Sequence, residues 1–295
     1  MESATGEALF SGRAESCLYT LFHSDAAHHE ELLRSTVIPV VRDLREAPEM
    51  RCLFFARYSE PDWQLRFRVL GEPGWVEQVV RPRIDAALPT ASGRGLFESV
   101  EYASYQREWD RYGGARGMPL AEAIFLHDSL ACLDLIEAEA AGALARTRRE
   151  WSLLFTERFL DLFGLTSADR IAFHHFGHLW AVRDGEWDAD DLRKLDAKFE
   201  ALEPGLRALI SREEELTEAD RWGGDRPAAI ARRTLDALAP VAQAVREGLG
   251  DGSISQEPIY LLWSYAHMHA NRLGISSTGE AILRYFMWRH WSRPA

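Results

Sequence analysis

Residues 52–70 limit the fold more than any other part of the chain, because they contain two strand-like runs joined by a turn signal. The first run, which starts at Cys52, is almost wholly apolar, and the second alternates apolar side chains with arginine. Because side chains alternate across a strand, the arginines of the second run share one face and its apolar residues share the other. The two faces are Arg66 with Arg68, and Leu65 with Phe67 and Val69. With the turn signal at Ser59 to Asp62, the sequence predicts a hairpin that presents two guanidinium groups side by side.

Two neighbouring arginines on a strand have two interpretations. Guanidinium groups roughly 7 Å apart suit the binding of a carboxylate or phosphate through paired hydrogen bonds. Alternatively, Arg66 and Arg68 line the solvated face of a half-buried strand and pair with surface acids. The hairpin alone is compatible with both, so other parts of the chain must distinguish an anion site from a solvated face.

The charge balance and the cysteines exclude several classes of protein. The chain of 295 residues has a formal net charge of −12 and no block of Lys or Arg, so nucleic-acid binding is not predicted. Its three cysteines, Cys17, Cys52 and Cys132, are widely spaced and indicate neither a disulfide framework nor a zinc ligand set. No secretion signal and no run of 18 apolar residues is present. We therefore expect a soluble cytoplasmic protein without a membrane segment.

Strand and helix patterns alternate in the first third of the chain, and helical patterns dominate after it. A strand over 17–22, a helix over 26–45, the hairpin, a helix over 75–88 and a strand over 95–102 predict a mixed sheet packed with helices. The later helical patterns cover 119–145, 151–163, 167–181, 188–210, 228–249, 258–273 and 279–291. We therefore predict an α+β fold, with a sheet subdomain over 1–117 and a larger helical bundle over 118–295, and one compact domain is an allowed variant.

Charged and aromatic residues concentrate just before the helical part, from Tyr105 to Gly114. On a helix, Arg107 and Arg111 would share a face, and the glycine pair that follows would free the backbone. The alternative is a charged helix end capped by Gly113. The segment is therefore a second candidate for a functional site.

A third candidate is the polar end of an apolar helix, Trp263 to Gly274. His267 and Asn271 are four residues apart and share one face, whereas His269 points elsewhere, near Arg272. A histidine can donate or accept a proton at neutral pH, although a histidine in a helix is more often a satisfied core or surface residue. The pattern therefore predicts a site for proton transfer only if partner residues accompany it.

Three further histidines raise the question of a metal. His174, His175 and His178 lie on one predicted helix, but no HExxH pattern or cysteine pair accompanies them. Gly-rich phosphate loops, GxSxG elbows and dinucleotide fingerprints are also missing from the sequence. We therefore expect neither a metal nor an organic cofactor.

Together, FFARYSEPDWQLRFR, the YxREWDRYGG segment and HMHANRLG resemble the elimination domain of lantibiotic dehydratases, a family also called thiopeptide-type bacteriocin biosynthesis proteins. The resemblance covers nearly the whole chain and keeps the order and approximate spacing of the three segments. It implies a fold of sheet plus helices, no metal and no cofactor. It also implies removal of glutamate from glutamylated Ser or Thr of a precursor peptide, which leaves dehydroalanine or dehydrobutyrine.

The resemblance implies roles for particular residues. The catalytic set is Arg66, Arg68, Arg111 and His267, and the substrate-binding set is Arg57, Gln64, Tyr112, His269, Asn271 and Arg272. The two strand arginines would hold the glutamyl group, Arg111 would stabilise developing negative charge, and His267 would move the proton. His269 is the alternative to His267. One departure is Gln64, which stands where such domains usually have a histidine and which cannot titrate.

The resemblance also implies partners and alternatives. A precursor peptide and a glutamylating dehydratase subunit are the expected partners, because the chain has the length of the elimination domain alone, and a homodimer is compatible with it. The same fold family contains pyridine synthases, which join two dehydroalanines by [4+2] cyclisation and expel the leader peptide. A catalytically silent subunit that binds a leader peptide is a third reading. The retained polar set favours elimination over both alternatives.

Overall fold

The computed structural model describes residues 15–182, 187–211 and 217–293. Its sheet contains the strands β1 (Ser16–His23), β2 (Met50–Tyr58), β3 (Gln64–Gly71) and β4 (Ser99–Ala103), in the order β2-β3-β1-β4. The neighbouring strands all pair antiparallel. The α+β fold class is confirmed, but the sheet is antiparallel where a mixed sheet was expected. The reason is the connectivity. β1 and β2 run in the same direction, but β3 lies between them, as in ferredoxin-like folds, so the two parallel strands are not neighbours.

The hairpin forms as the sequence predicts. Tyr58 pairs with Gln64 across the turn, and Phe55 pairs with Phe67. Directly paired residues share a face, so Leu65, Phe67 and Val69 lie with Phe55 on a buried face. Beneath that face lies the π-helical turn Val76–Val80, which contacts β1 and β3. Arg66 and Arg68 lie on the opposite face.

Two helical segments cover the buried face of the sheet. The first contains α1 (His29–Leu32) and α2 (Ile38–Leu44), which are joined by the π-helical turn Leu33–Val37. The second contains α3 (Pro73–Trp75) and α4 (Arg81–Gly93). Pro39 stands at the start of α2, as expected for a residue without a backbone N–H.

The helical part follows the predicted pattern with small shifts. Its helices are α5 (Gly114–Ala140), α6 (Arg148–Leu162), α7 (Ser167–Val182), α8 (Ala189–Ile210), α9 (Glu218–Trp222), α10 (Asp225–Gly250), α11 (Pro258–Arg272) and α12 (Ser277–Trp291). Pro119 lies inside α5 rather than at its start, because Gly113 in a left-handed conformation begins the helix earlier. β4 starts at Ser99 rather than Gly95, which has a positive φ in a turn.

The second face and the outer edge of the sheet pack against the helical part. β2 contacts α5 and α11. The Cys52 thiol donates to the carbonyl of Glu122 on α5, and Arg272 of α11 donates to the carbonyl of Phe55. A boundary near residue 117 stays a prediction. Within the described ranges, no helix has both the length and the apolar character needed to cross a bilayer.

Candidate functional site

Arg66 and Arg68 lie on aromatic rings rather than against acids. The Arg66 guanidinium carbon is 3.6 Å from the centre of the Tyr58 ring. Arg68 is only 8% exposed and lies 3.9 Å from the Tyr19 ring centre, with Phe54 and Tyr105 also around it. In the described part of the chain, neither arginine forms an ion pair with a carboxylate.

The strand register explains this aromatic environment. Arg68 pairs directly with Phe54 on one side and with Tyr19 on the other, and Tyr58 lies diagonally across from Arg66. Cation–π contacts of this kind contribute about 0.5 to 2 kcal/mol each, less than an anionic partner would contribute to a desolvated guanidinium. Among the described residues, the buried Arg68 Nε atom has no hydrogen-bond partner. The pair is therefore equipped to bind an anion.

Gln64 positions Arg66. The Arg66 Nε donates to Gln64 Oε1 at 3.0 Å, and Gln64 is buried at the start of β3. An amide oxygen accepts this hydrogen bond without titrating. At the position where the resembled family usually has a histidine, the chain therefore has a neutral residue that orients a guanidinium.

Arg111 reaches the site from an irregular segment, not from a helix. Arg107 and Arg111 were expected to share a helix face, but residues 104–113 are not helical and the two side chains diverge. Arg107 pairs with Glu122, whereas Arg111 Nε donates to Ser264 Oγ at 3.4 Å and Arg111 pairs with Glu108 at 3.2 Å. The prediction of a shared helix face is therefore wrong, and only Arg111 contacts α11.

Glycine makes this segment possible. Gly113 has φ +80°, and a Cβ there would lie 2.3 Å from the Ile254 side chain. Only a residue without a Cβ fits both the left-handed backbone and the close approach. Tyr112, which precedes it, is buried and stacks on Tyr265 of α11. Burial raises the pKa of Tyr112, Arg111 opposes this rise, and the carboxylate of Glu108 adds to it.

One face of α11 brings three polar residues towards the arginines. Ser264, His267 and Asn271 recur at intervals of three and four and therefore share this face. Ser264 contacts Arg111. The Asn271 amide accepts from the Arg57 backbone N–H at 2.8 Å and donates to the Arg57 carbonyl at 2.6 Å. Asn271 thus fixes α11 against the end of β2, next to Tyr58. His267 lies along the helix between Ser264, which contacts Arg111, and Asn271, which contacts Arg57.

His267 has a carboxylate partner of its own. Its Nδ1 lies 2.7 Å from Glu280 Oε2 on α12, and its ring stacks on Trp263 with ring centres 5.2 Å apart. Burial alone would raise the pKa of Glu280, but His267 and Arg284 hold it below its usual value. A carboxylate accepts, so Nδ1 carries the proton and Nε2 keeps a lone pair when the ring is neutral. With its side chain 29% exposed, His267 is accessible to a substrate.

His269 and Arg272 belong to a buried network instead. Asp128 of α5 contacts His269 Nδ1 at 2.6 Å and Arg272 at 2.6 Å, and all three residues are buried. Burial alone would raise the pKa of Asp128, but His269 and Arg272 hold it below its usual value. A direct substrate-binding role for His269 and Arg272 stays a prediction, and this geometry favours a structural role.

The same network contains the only cluster in the described ranges with metal-ligand geometry. The ligand atoms of Asp128, Cys132 and His269 lie within 4.8 Å of one another. However, Arg272 already neutralises Asp128, and burial raises the pKa of the Cys132 thiol far above its usual value. The three side chains therefore suit an ion pair with Arg272 and a protonated thiol better than a metal cation.

Arg57 and the three histidines of α7 also contact other parts of the fold. Arg57 pairs with Glu30 at 2.5 Å and donates to the carbonyl of Arg272, so it ties α1 to the end of α11. Of the histidines on α7, His174 contacts Glu157 at 2.7 Å, His178 donates to the carbonyl of Ala281, and His175 stacks on Trp288. His174 lies apart from the other two, whereas His175 and His178 both stack on Trp288.

Several residues of the site could not be predicted from local patterns, because their role depends on pairing across the fold. Tyr58 and Tyr19 could have been found from the hairpin register and the strand order, because both face the arginines. Ser264 and Glu280 gave no signal of their own. As a whole, the arrangement can bind an anion at Arg66 and Arg68, stabilise negative charge near Arg111, and move a proton at His267.

The chain is similar in sequence or in fold to several known proteins. The subtilin biosynthesis protein SpaB of Bacillus subtilis is 24% identical over 159 residues, which is 54% of this chain and 15% of SpaB. The tRNA-dependent lantibiotic dehydratase MibB from Microbispora sp. 107891 has a similar structure, with a TM-score of 0.67 and 24% identity over 96% of this chain and 28% of MibB. The chain thus spans less than a third of either relative.

Two further solved structures match over almost their full length. TsrL has a TM-score of 0.64 and 18% identity, covering 96% of this chain and 100% of TsrL. The pyridine synthase TbtD from thiomuracin biosynthesis has a TM-score of 0.65 and 16% identity, covering 94% of this chain and 97% of TbtD. At these identities the similarity is one of fold. The profile of the family described as "Lantibiotic biosynthesis dehydratase C-term" matches residues 18–291, and the chain therefore belongs to that family.

Proposed function

We propose that the protein removes glutamate from glutamylated Ser or Thr residues of a precursor peptide during the biosynthesis of a ribosomally made, modified peptide. Membership of the dehydratase family supports the substrate class. The observation that carries the elimination step is the pair of guanidinium groups of Arg66 and Arg68, which rest on aromatic rings without an acidic partner in the described chain.

In this proposal Arg66 and Arg68 bind the glutamyl group. A glutamyl ester retains one free carboxylate, and a guanidinium fork binds a carboxylate through two parallel hydrogen bonds. The aromatic rings around Arg68 exclude water and thereby strengthen the attraction for an anion. Gln64 holds the Nε edge of Arg66 and leaves its terminal nitrogens available.

The neutral form of His267 acts as the base. Its Nε2 takes the α-proton of the glutamylated residue, the freed electron pair forms the Cα=Cβ bond, and the Cβ–O ester bond breaks. Glutamate leaves as a carboxylate, and dehydroalanine or dehydrobutyrine remains. Glu280 fixes the tautomer and stabilises the imidazolium that forms.

Arg111 stabilises the negative charge that develops after the α-proton is removed and before glutamate leaves. Removal of the α-proton places negative charge on the neighbouring amide oxygen. Arg111 is held by Ser264, one turn of α11 from His267, and its own pKa is raised, so it remains a cation. A pre-organised cation of this kind contributes mainly in the transition state.

The proposed partners follow from the substrate. A glutamylating dehydratase subunit supplies the glutamylated precursor peptide, and this chain consumes it. The test is to incubate the purified protein with a precursor peptide glutamylated in advance and to follow the peptide by mass spectrometry. We expect loss of glutamate with formation of a dehydro residue, whereas the same peptide without glutamate should not change.

Other outcomes would identify the alternatives. A pyridine synthase would leave the glutamylated peptide intact but would cyclise a dehydroalanine-containing peptide and release its leader. A binding subunit would change neither peptide but would retain the precursor in a pull-down. Either result would contradict the elimination proposal.

A further inference from the structure

A large cavity lies between α7 and the start of α11. It is a wide cleft, largely open to solvent, of about 1000 Å³, which is at the upper end of the range of small-ligand sites and more than a glutamyl group requires. Its apolar walls are Phe176 and Leu179 of α7 and Ile259 and Tyr260 of α11. Leu179 is 52% exposed, which is unusual for a large aliphatic side chain. We call this space the α7–α11 cavity.

The α7–α11 cavity borders the proposed elimination site at Arg111. Arg111 lines it and also contacts Ser264. Tyr260 precedes Ser264 by one helical turn, on the α11 face that also carries His267. A peptide whose modified residue lies at His267 and Arg111 would therefore extend into this cavity.

The rim of the cavity carries excess negative charge. Three carboxylates line it, those of Glu108, Asp110 and Glu257, against the one arginine Arg111 and the imidazole of His175 among the described lining residues. Arg111 pairs with Glu108 at 3.2 Å. The carboxylates of Asp110 and Glu257 are exposed and form no ion pair within the described residues. Apolar walls with two unmatched carboxylates complement a segment that carries apolar and basic side chains.

We propose that the α7–α11 cavity binds the residues of the precursor peptide that flank the glutamylated Ser or Thr, and that it selects apolar and basic side chains there. This inference rests on the proposed function and adds the chemistry of the substrate sequence. Glu257 is the main determinant of charge preference, because it stands at the mouth of the cavity beside the first turn of α11.

The first experiment compares three peptides glutamylated at one serine that differ only in the flanking residues, which are Lys, Gln or Glu. We expect the wild-type protein to convert the Lys peptide about threefold to tenfold faster than the Glu peptide at limiting concentration, as for one or two partly solvated charge pairs. The ratio should decrease towards one at high salt, because salt screens exposed charges.

Two charge-reversal variants test the location. Glu257→Lys should remove or invert the preference, whereas Asp236→Lys, which makes the same charge change on the exposed surface of α10, should leave it unchanged. For the apolar wall, Leu179→Ser should weaken conversion of peptides with a flanking Leu. The matched control Leu192→Ser changes another exposed leucine, on α8, and should have no effect.

Equal rates for the Lys and Glu peptides, or a ratio that Glu257→Lys does not alter, would overturn the proposal. If no peptide loses glutamate, the proposed function itself fails, and the cavity is then tested by binding alone. Fluorescein-labelled versions of the peptides, measured by anisotropy, should show the same preference in Kd for the wild-type protein and its loss in Glu257→Lys. Identical Kd values would reject the cavity assignment independently of the reaction.

Discussion

The Arg66 guanidinium rests on the Tyr58 ring and forms no ion pair among the described residues, which suits the proposed role of Arg66 in binding an anion. An acidic neighbour would compete with an anionic substrate for the same hydrogen bonds. An aromatic face supports the cation yet leaves its donors available. The same holds for Arg68 among Tyr19, Phe54 and Tyr105.

Arg66→Ala should leave the fold nearly intact, because Arg66 is only partly buried and its guanidinium rests on the Tyr58 ring without an ion pair among the described residues. It should reduce elimination at least about 100-fold, because the proposed anion site loses a pre-organised cation. Arg66→Lys should recover only part of the activity, since an ammonium lacks the planar fork. The control Arg42→Ala removes an exposed arginine that pairs with Glu137 and should keep full activity. Thermal unfolding and single-turnover assays give the two readouts. Unchanged turnover in Arg66→Ala would refute the role of this arginine.

His267→Ala should reduce elimination by about 10² to 10⁴-fold, the usual contribution of general base catalysis. Because the side chain is 29% exposed, added imidazole should enter the space it leaves and restore part of the rate. The comparison variant Glu280→Gln keeps the shape of the partner but not its charge, so it should lose less activity. If imidazole gave no rescue and turnover stayed normal, the proton would have to be moved by another group.

The sequence predicted the polar side chains of the candidate site better than their environment. Arg66, Arg68, His267 and Asn271 were singled out because residue type and spacing on one strand or one helix are local properties. Arg111 was distinguished from Arg107 only by the family resemblance. The separate surroundings of His267 and His269 were not predictable, since they depend on what α5 and α12 place opposite α11. Aromatic partners of arginine have the same dependence on pairing between elements.

Among the structural elements, the irregular segment that carries Arg111 depends most on a single residue. Gly113→Ala should destabilise the protein by more than the roughly 1 to 2 kcal/mol that a left-handed alanine costs, because its Cβ would also collide with Ile254. It should lower turnover as well, by displacing Arg111. Gly252→Ala is the matched control, with φ +77° and open space around the Cβ, and should show only the conformational cost. Equal losses in a denaturant titration would mean that the contact with Ile254 is unimportant.

Periodicity identified most elements, including the hairpin and the helices that form α6, α7, α8, α10, α11 and α12. Errors occurred where a local pattern was overridden. Residues 105–113 contain good helix formers, but the positive φ values of Gly113 and Gly114 and the docking of Tyr112 hold them in another conformation. Strand order is set by long-range packing, which explains why a mixed sheet was expected and an antiparallel one was found.

For the whole molecule, buried histidines make stability depend on pH. Burial, aided by Arg57, lowers the pKa of His29 to about 4, and its ring donates to the carbonyl of Ser24. In the unfolded chain the ring protonates near 6.5. Between these values the unfolded chain binds more protons, so the free energy of unfolding should decrease as the pH falls from about 6.5 towards about 4.

The expected loss from His29 alone is on the order of 1 kcal/mol between pH 7 and pH 5. His174 and His178, whose pKa values are also lowered by burial, act in the same direction. His29→Gln keeps a donor for Ser24 but does not titrate, so its denaturation midpoint should fall less on acidification than that of the wild-type protein. Parallel pH profiles for the two proteins would exclude His29 as a contributor.

The aromatic surroundings of Arg68 have a thermodynamic consequence. A nearly buried guanidinium with an unsatisfied Nε makes the folded state less stable than it would be with an anion in place. Binding of an anion to the folded state alone must then raise the unfolding temperature. At 100 times the Kd, it adds about 2.7 kcal/mol to the free energy of unfolding. Free glutamate, the proposed product, should therefore protect the wild-type protein against heat in a thermal-shift assay and protect Arg68→Ala far less. The unfolding temperature therefore measures anion binding at Arg68 even when no reaction takes place.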